Sequence, residues 1–208
     1  MRRNKQYYIR KIHRFLGVFL GIQFLLWTLG GLYFSWTDID EIHGDHLISE
    51  QVRVRYDPQE LRFSLIPDTL QVKSAELLQV LGEPYFFVND HLLYHARTGE
   101  LRGPIVEEEA KAIANSHLAE KKETKSIVLL QKADKHHEYR ERRLPAWQVN
   151  YVTDDNISIY IDATNGQFVR VRHQQWRWFD FLWMMHTMDY EGRDDMNNLL
   201  LRAFSLLG

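Results

Sequence analysis

The chain has 208 residues with 26 basic and 28 acidic side chains, a formal charge of −2 that gives no argument for a nucleic-acid partner. It contains no cysteine, which excludes disulfides, zinc–thiolate sites and a thiol nucleophile. Aromatic residues make up 13% of the chain. That is enough apolar bulk for the roughly 150 residues outside the N-terminal apolar stretch to form one ordinary domain, or two small ones, on a core alone.

Residues 1–14 form a basic segment carrying Arg2, Arg3, Lys5, Arg10, Lys11 and Arg14 and no acid. Residues 15–36, FLGVFLGIQFLLWTLGGLYFSW, follow without a charge. As a helix they span about 33 Å, enough for a hydrocarbon core of about 30 Å. A cleaved signal peptide has a shorter apolar core and a small-x-small site. This stretch instead ends in Tyr33, Phe34, Ser35 and Trp36. It is also too long for most buried soluble helices. Gly17 and Gly21 form a small-xxx-small pair that either packs on another helix or is simply tolerated. Residues 37–50 carry Asp38, Asp40, Glu41, Asp45 and Glu50 and no Lys or Arg. The positive side stays in the cytoplasm, so residues 37 onward are expected mainly outside it.

Residues 37–103 read as a small α+β half. QVRVRY (51–56) alternates as a strand does, and a short helix is expected at about Lys73 to Leu81, stopped by Gly82 and Pro84. PYFFVN (84–89) and HLLYHA (91–96) form a strand pair, and ARTGEL (96–101) turns into a last short strand. Residues 104–172 repeat the plan. Pro104 precedes a helix with Glu107, Glu108 and Glu109 in its first turn, where the helix dipole favours acids. Its apolar stripe is Ala110, Ile113, Ala114, His117 and Leu118. Strands are expected at about 126–132, 146–153, 156–163 and 167–172, and ADKHHEYRERR (133–143) reads as a solvated polar loop. The two halves share a tag, ARTGE at 96–100 and ATNGQ at 163–167, which reads as a degenerate internal duplication.

VEEEAKAIANSHL followed by strands ending in YIDATNGQFVRV resembles the PepSY domain, with Asn165 inserted before Gly166 as a departure from its usual D-x-T-G-like turn. RKIHRFLGVFLGIQFLLWTLGGLYF and RWFDFLWMMHTMDYEGRDDMNN are similar to segments of PepSY-associated membrane proteins. The resemblance implies a bacterial inner-membrane protein with an extracytoplasmic PepSY-like region. It implies an α+β fold in which 15–36 is a transmembrane helix, 37–103 a degenerate PepSY-like half and 104–172 the PepSY-like domain. Some PepSY domains bind or inhibit peptidases, and some larger membrane relatives are haem-containing iron reductases.

The remaining segment, residues 173–208, is aromatic and apolar from Trp176 to Met185. It reads either as a core helix under the sheet or as an interfacial helix on the outer leaflet, with the interface favoured. The apolar pattern resumes at Leu199 and reaches Gly208. This is either the start of a second transmembrane helix, cut within it, or a tail on the surface. If a second helix forms, Gly17 and Gly21 are its expected docking face.

Ten histidines are present, and imidazole is a common haem and metal ligand. His13 in RKIHR and His186 in the aromatic segment are the candidate haem ligands, with haem b the implied group. His13 lies on the opposite side of the membrane from His43, His46 and His186, so it would need a ligand partner from elsewhere. The blander readings are an interfacial basic residue for His13 and solvated loop residues for His43 and His46. His91, His95, His136 and His137 read as surface. No phosphate loop, dinucleotide turn, H-E-x-x-H or paired catalytic carboxylates occur, and Asp162 reads as a turn residue. The first expectation is therefore a non-enzymatic membrane-tethered protein-binding or regulatory module whose partner is a peptidase, a reductase subunit or a second copy. The alternatives are a haem-bearing or haem-associated subunit of an envelope iron (siderophore) reductase, and a structural membrane protein.

Overall fold

The computed structural model describes residues 4–51, 54–193 and 195–207. The chain is α+β and divides into two units, Met1–Ile42 with Gln175–Gly208, and His43–Gln174.

The first unit is helical. Helix α1, Lys5–Trp36, covers the uncharged run and extends back through the basic segment to Lys5. Nothing between Lys5 and Arg14 breaks a helix, and these side chains stay exposed. At its end the Thr37 backbone N–H and hydroxyl both donate to Tyr33 O, at 3.1 and 2.6 Å. Asp38 Oδ1 accepts the Asp40 N–H and opens the short helix α2, Ile39–His43.

Two later helices, α4 (Gln174–Thr187) and α5 (Leu199–Leu207), join α1. α4 runs antiparallel to α1. Phe179, early in α4, meets Phe34 at 4.9 Å between ring centroids, whereas Met185 and His186 near its end meet Gln23 and Trp27. The Gln23 Nε2 and Trp27 Nε1 groups donate to the Met185 and His186 carbonyls at 3.0 and 2.7 Å. Those carbonyls belong to the last turn of α4 and have no partner within their own helix. Asn198 then joins α4 to α5: its Nδ2 donates to Thr187 O, and its Oδ1 caps α5 by accepting the Leu201 N–H. Phe204 of α5 is 2% exposed, among Phe19, Phe24 and Trp27 of α1. Among the described residues nothing lies within 4 Å of a Cβ at Gly17 or Gly21, and α5 instead seats the Phe204 ring on aromatic rings of α1.

The second unit holds two four-stranded antiparallel sheets, each a simple meander. One comprises β1 (Ala75–Val80), β2 (Glu83–Val88), β3 (Leu92–His95) and β4 (Leu101–Arg102). The other comprises β5 (Thr124–Leu130), β6 (Ala146–Tyr151), β7 (Ser158–Asp162) and β8 (Phe168–Arg172). Helix α3, Glu107–His117, lies between them in sequence, with Ala110, Ile113 and Ala114 buried. Glu109 closes its start by accepting the Val106 N–H and the Arg102 guanidinium. The main core joins the two sheets: Leu78, Val80, Phe87 and Leu93 of the first sheet pack with α3 and with Val149, Ile159, Ile161 and Val171 of the second.

Three expectations are corrected here. The segment expected as a helix at Lys73 to Leu81 is strand β1. Leu78 and Val80 alternate inward while Leu77 and Gln79 stay exposed, and β2 supplies the backbone partners. Leu81 and Gly82, both at positive φ, form the two-residue hairpin turn, so Gly82 ends a strand rather than a helix. QVRVRY is not a strand over its described residues, while 52–53 lie outside them. The loop at 133–143 is not merely solvated. Tyr139 is 0% exposed and stacked on Tyr160 at 4.8 Å, over the sheet face opposite α3, with Ala146, Leu130 and Leu144 around it. Its hydroxyl donates to Arg143 O, and burial, followed by the Asp162 charge, pushes its pKa up to about 12.

The shared tag forms the same turn twice. Asp162 Oδ1 accepts the N–H groups of Thr164 and Asn165 at 2.7 and 3.2 Å. In the first sheet His95 Nδ1 accepts those of Arg97 and Thr98 at 3.3 and 3.2 Å. Around each turn the backbone bonds match: Gly99 N to His95 O and Gly166 N to Asp162 O, Ala96 N to Pro84 O and Ala163 N to Pro145 O, Arg62 N to Ala96 O and Ile105 N to Ala163 O.

Candidate functional site

The two histidines singled out in the sequence sit at different places on the first unit. His13 is exposed on the N-terminal part of α1. His186 lies beside Gly30, about 25 Å further along that helix at the usual rise. Its ring is flanked by Phe34 at 5.5 Å, Trp27 at 6.2 Å and Trp183 at 6.4 Å. Gly30 permits this approach, since a Cβ there would lie 3.3 Å from His186 Nδ1. Nδ1 is buried without a hydrogen-bond partner among the described residues. Asp180, buried nearby in sequence, pairs with Arg193. The structure does not bring His13 and His186 together.

The remaining histidines have local roles. His46 is exposed and meets His173 edge to face at 5.7 Å, and His43 is exposed at the end of α2. Among the described residues no three His, Asp or Glu side chains gather to hold a metal ion. His95, expected at the surface, is instead a half-buried acceptor at the base of its turn, with Nε2 3.6 Å from Glu83. His137 Nδ1 likewise accepts the Tyr139 N–H, which fixes the loop over Tyr160.

In the second unit a half-open groove of about 620 Å³ opens beside the first sheet. One wall is the end of the β1–β2 hairpin, Gln79, Leu81 and Gly82. The other is the C-terminal turn of α3, Ile113, Ser116 and His117, and the Gly166–Gln167–Phe168 turn and Gln51 complete it. No lining side chain carries a fixed charge. His117 stacks on Phe168 at 4.8 Å and 25°, and burial holds its imidazole below the ordinary histidine range, so it is neutral at neutral pH. Gln51 Nε2 donates to Ser116 O, and Gln167 Nε2 donates to Gln79 O at 3.2 Å. Gly166, at φ 74°, lets the turn press on Val80, Ile105 and Ile113 with no side chain between.

Sequence reasoning missed this groove. His117 has the spacing of the α3 apolar stripe, and Gln167 looks like ordinary turn polarity. Only the docking of the first sheet beside α3 makes them neighbours.

The fold defines an α+β protein with a long apolar N-terminal helix and two four-stranded antiparallel sheets. No family model matches the chain, and no curated protein or solved structure matches it.

Proposed function

We propose that this chain is a membrane-tethered, non-enzymatic binding module of a bacterial inner membrane. Its N-terminus is cytoplasmic, residues 37 onward lie mainly outside, and the sheet-bearing unit is a PepSY-like protein-binding or regulatory region. The observation that carries the reading is the surface of α1. This helix is long and apolar enough to cross a bilayer, and Phe15, Val18, Phe19, Ile22, Leu25 and Leu29 stay largely exposed along it. Its polar side chains are satisfied within the first unit, as lipid requires: Gln23 on Met185 O, Thr28 on Phe24 O and Ser35 on Leu32 O. Edge strands supply contact surface for a protein partner. β5 presents Val128 and Leu129 and β1 presents Leu77, all exposed.

A reporter active only outside the cytoplasm, fused after residue 172, is expected to be active, and the chain is expected in the membrane fraction. Reporter activity confined to the cytoplasm overturns the topology. A photo-crosslinking residue at Leu77 or Val128 is expected to give discrete adducts in cells. Failure at both positions overturns the binding reading.

A second reading has one specific observation in its favour, the buried unpartnered Nδ1 of His186 within its aromatic surround. The residues fit a haem in part: His186 would supply one imidazole ligand to the iron, and a second protein ligand would have to come from elsewhere than His13. The detergent-purified protein from haem-replete cells would then show a Soret band that His186→Ala abolishes. A spectrum without the band removes this reading.

A further inference from the structure

We infer that the groove between β1 and α3 binds an extended, uncharged peptide segment, which adds along the outer edge of β1. The inference rests on reading the sheet-bearing unit as a binding module, and it names the site and the ligand chemistry.

The register of β1 gives the first argument. The Asn89 N–H donates to Ser74 O, so in this antiparallel pair the backbone groups of residues 76, 78 and 80 face β2. Those of Ala75, Leu77 and Gln79 then face away from the sheet. Among the described residues no strand pairs with β1 on that side. An outward row of N–H and C=O groups beside a concavity is the arrangement that accepts an added strand.

Gln167 gives the second. Its side-chain amide donates to the outward Gln79 carbonyl at 3.2 Å. That is the bond an incoming strand's N–H would make, and it is made here by an exposed group that can exchange.

The lining gives the third. A carboxylate, phosphate or ammonium entering this groove would lose water and meet no opposite charge, a costly transfer. The amides of Gln51, Gln79 and Gln167, the Ser116 hydroxyl and a neutral His117 match peptide N–H and C=O groups. Leu81, Ile113 and Phe168 supply apolar surface for a side chain pointing inward. The groove volume of about 620 Å³ falls within the range of about 300–1,000 Å³ usual for ligand sites.

The test uses the full chain in detergent micelles with three capped nonapeptides carrying an uncharged dye. One alternates valine with threonine or glutamine. The other two replace the polar positions with glutamate or with lysine. Fluorescence anisotropy is expected to show the uncharged peptide binding tightest. Amide hydrogen exchange is expected to slow across residues 75–82 and stay unchanged across 124–130. Ser116→Trp, which fills the rim, is expected to weaken binding about tenfold or more, while Lys121→Trp leaves it unchanged. Gln167→Ala, which removes the competing amide, is expected to tighten it by a few fold. Equal or tighter binding of either charged peptide overturns the assigned chemistry. Exchange protection confined to 124–130 overturns the groove and leaves the module reading standing, as does absent peptide binding when in-cell crosslinks at Val128 form. Absence of peptide binding together with absence of crosslinks overturns both.

Discussion

The two sheets of the second unit close on the same turn but hold it with different groups and support it differently. In the β5–β8 sheet a buried carboxylate, Asp162, gathers the turn N–H groups, with Arg143 3.6 Å away. In the β1–β4 sheet a half-buried imidazole, His95, does so, with Glu83 beside it and Arg97 bridging Glu83 and Glu60. The glycine of each turn presses on whatever precedes the sheet. Gly166 meets Ile105 and Ile113 around the three-turn helix α3. Gly99 meets Leu65, in a single 3-10 turn at Phe63–Leu65. The backbone of the turn therefore sets the demand, an acceptor at its base and a residue without Cβ near its end. The side chain that meets the demand is open to choice. A sheet preceded by a single 3-10 turn cannot cover its inner face alone, and the β1–β4 sheet places Leu78, Val80, Phe87 and Leu93 in the core built around α3.

Four predictions break or sharpen this comparison, read by chemical denaturation and by hydrogen exchange of segments 75–102 and 146–172. The largest effect is expected from Tyr139→Ala. It removes the ring that covers the outer face of the β5–β8 sheet and should cost about 3–5 kcal/mol, with faster exchange at 146–172 ahead of 75–102. An equal effect on both segments would mean that the two sheets unfold only together. Gly166→Ala adds a Cβ 3.0–3.3 Å from Ile105, Val80 and Ile113 at a positive φ, and should cost about 2–4 kcal/mol across both segments. Gly99→Ala sets its Cβ 2.5 Å from Leu65 Cβ, its nearest neighbour, and should stay local to residues 61–102.

The two acceptors come next. Asp162→Ala removes a buried charged acceptor and should cost about 1.5–3 kcal/mol, against about 0.5–1.5 kcal/mol for His95→Ala. His95→Asn, which keeps a short acceptor, should recover part of the loss. A larger cost at His95 than at Asp162 would contradict the ranking of the buried carboxylate as the stronger acceptor. The smallest effect concerns His117. Its folded pKa lies below the unfolded value of about 6.5, so protonation favours the unfolded chain. Its contribution to stability should be complete above that pH and fall away as the pH drops below it. His117→Phe should flatten the acid side of the stability profile, and an unchanged slope would assign it to other groups.

Some of this molecule is legible in its residues, and the reason is local. An uncharged run of 22 residues specifies a long apolar helix without reference to anything else, and Glu107–Glu109 ahead of Ala110, Ile113 and Ala114 specifies α3 in the same way. The repeated tag marks both turns because a positive-φ glycine and a neighbouring acceptor are short-range requirements. Tertiary packing decided the rest. AELLQV carries apolar residues that suit a helix or a strand, and pairing with β2 made it a strand. ADKHHEYRERR is charged enough to read as solvent-facing, and most of it is, yet its one aromatic ring found the open face of a sheet and pinned the loop there. Composition alone placed the C-terminal aromatic run either under a sheet or at an interface, and contact with Gln23, Trp27 and Phe34 aligned it along α1. The groove beside β1 exists only because two sheets share one core, and that sharing depends on side chains far apart in the chain.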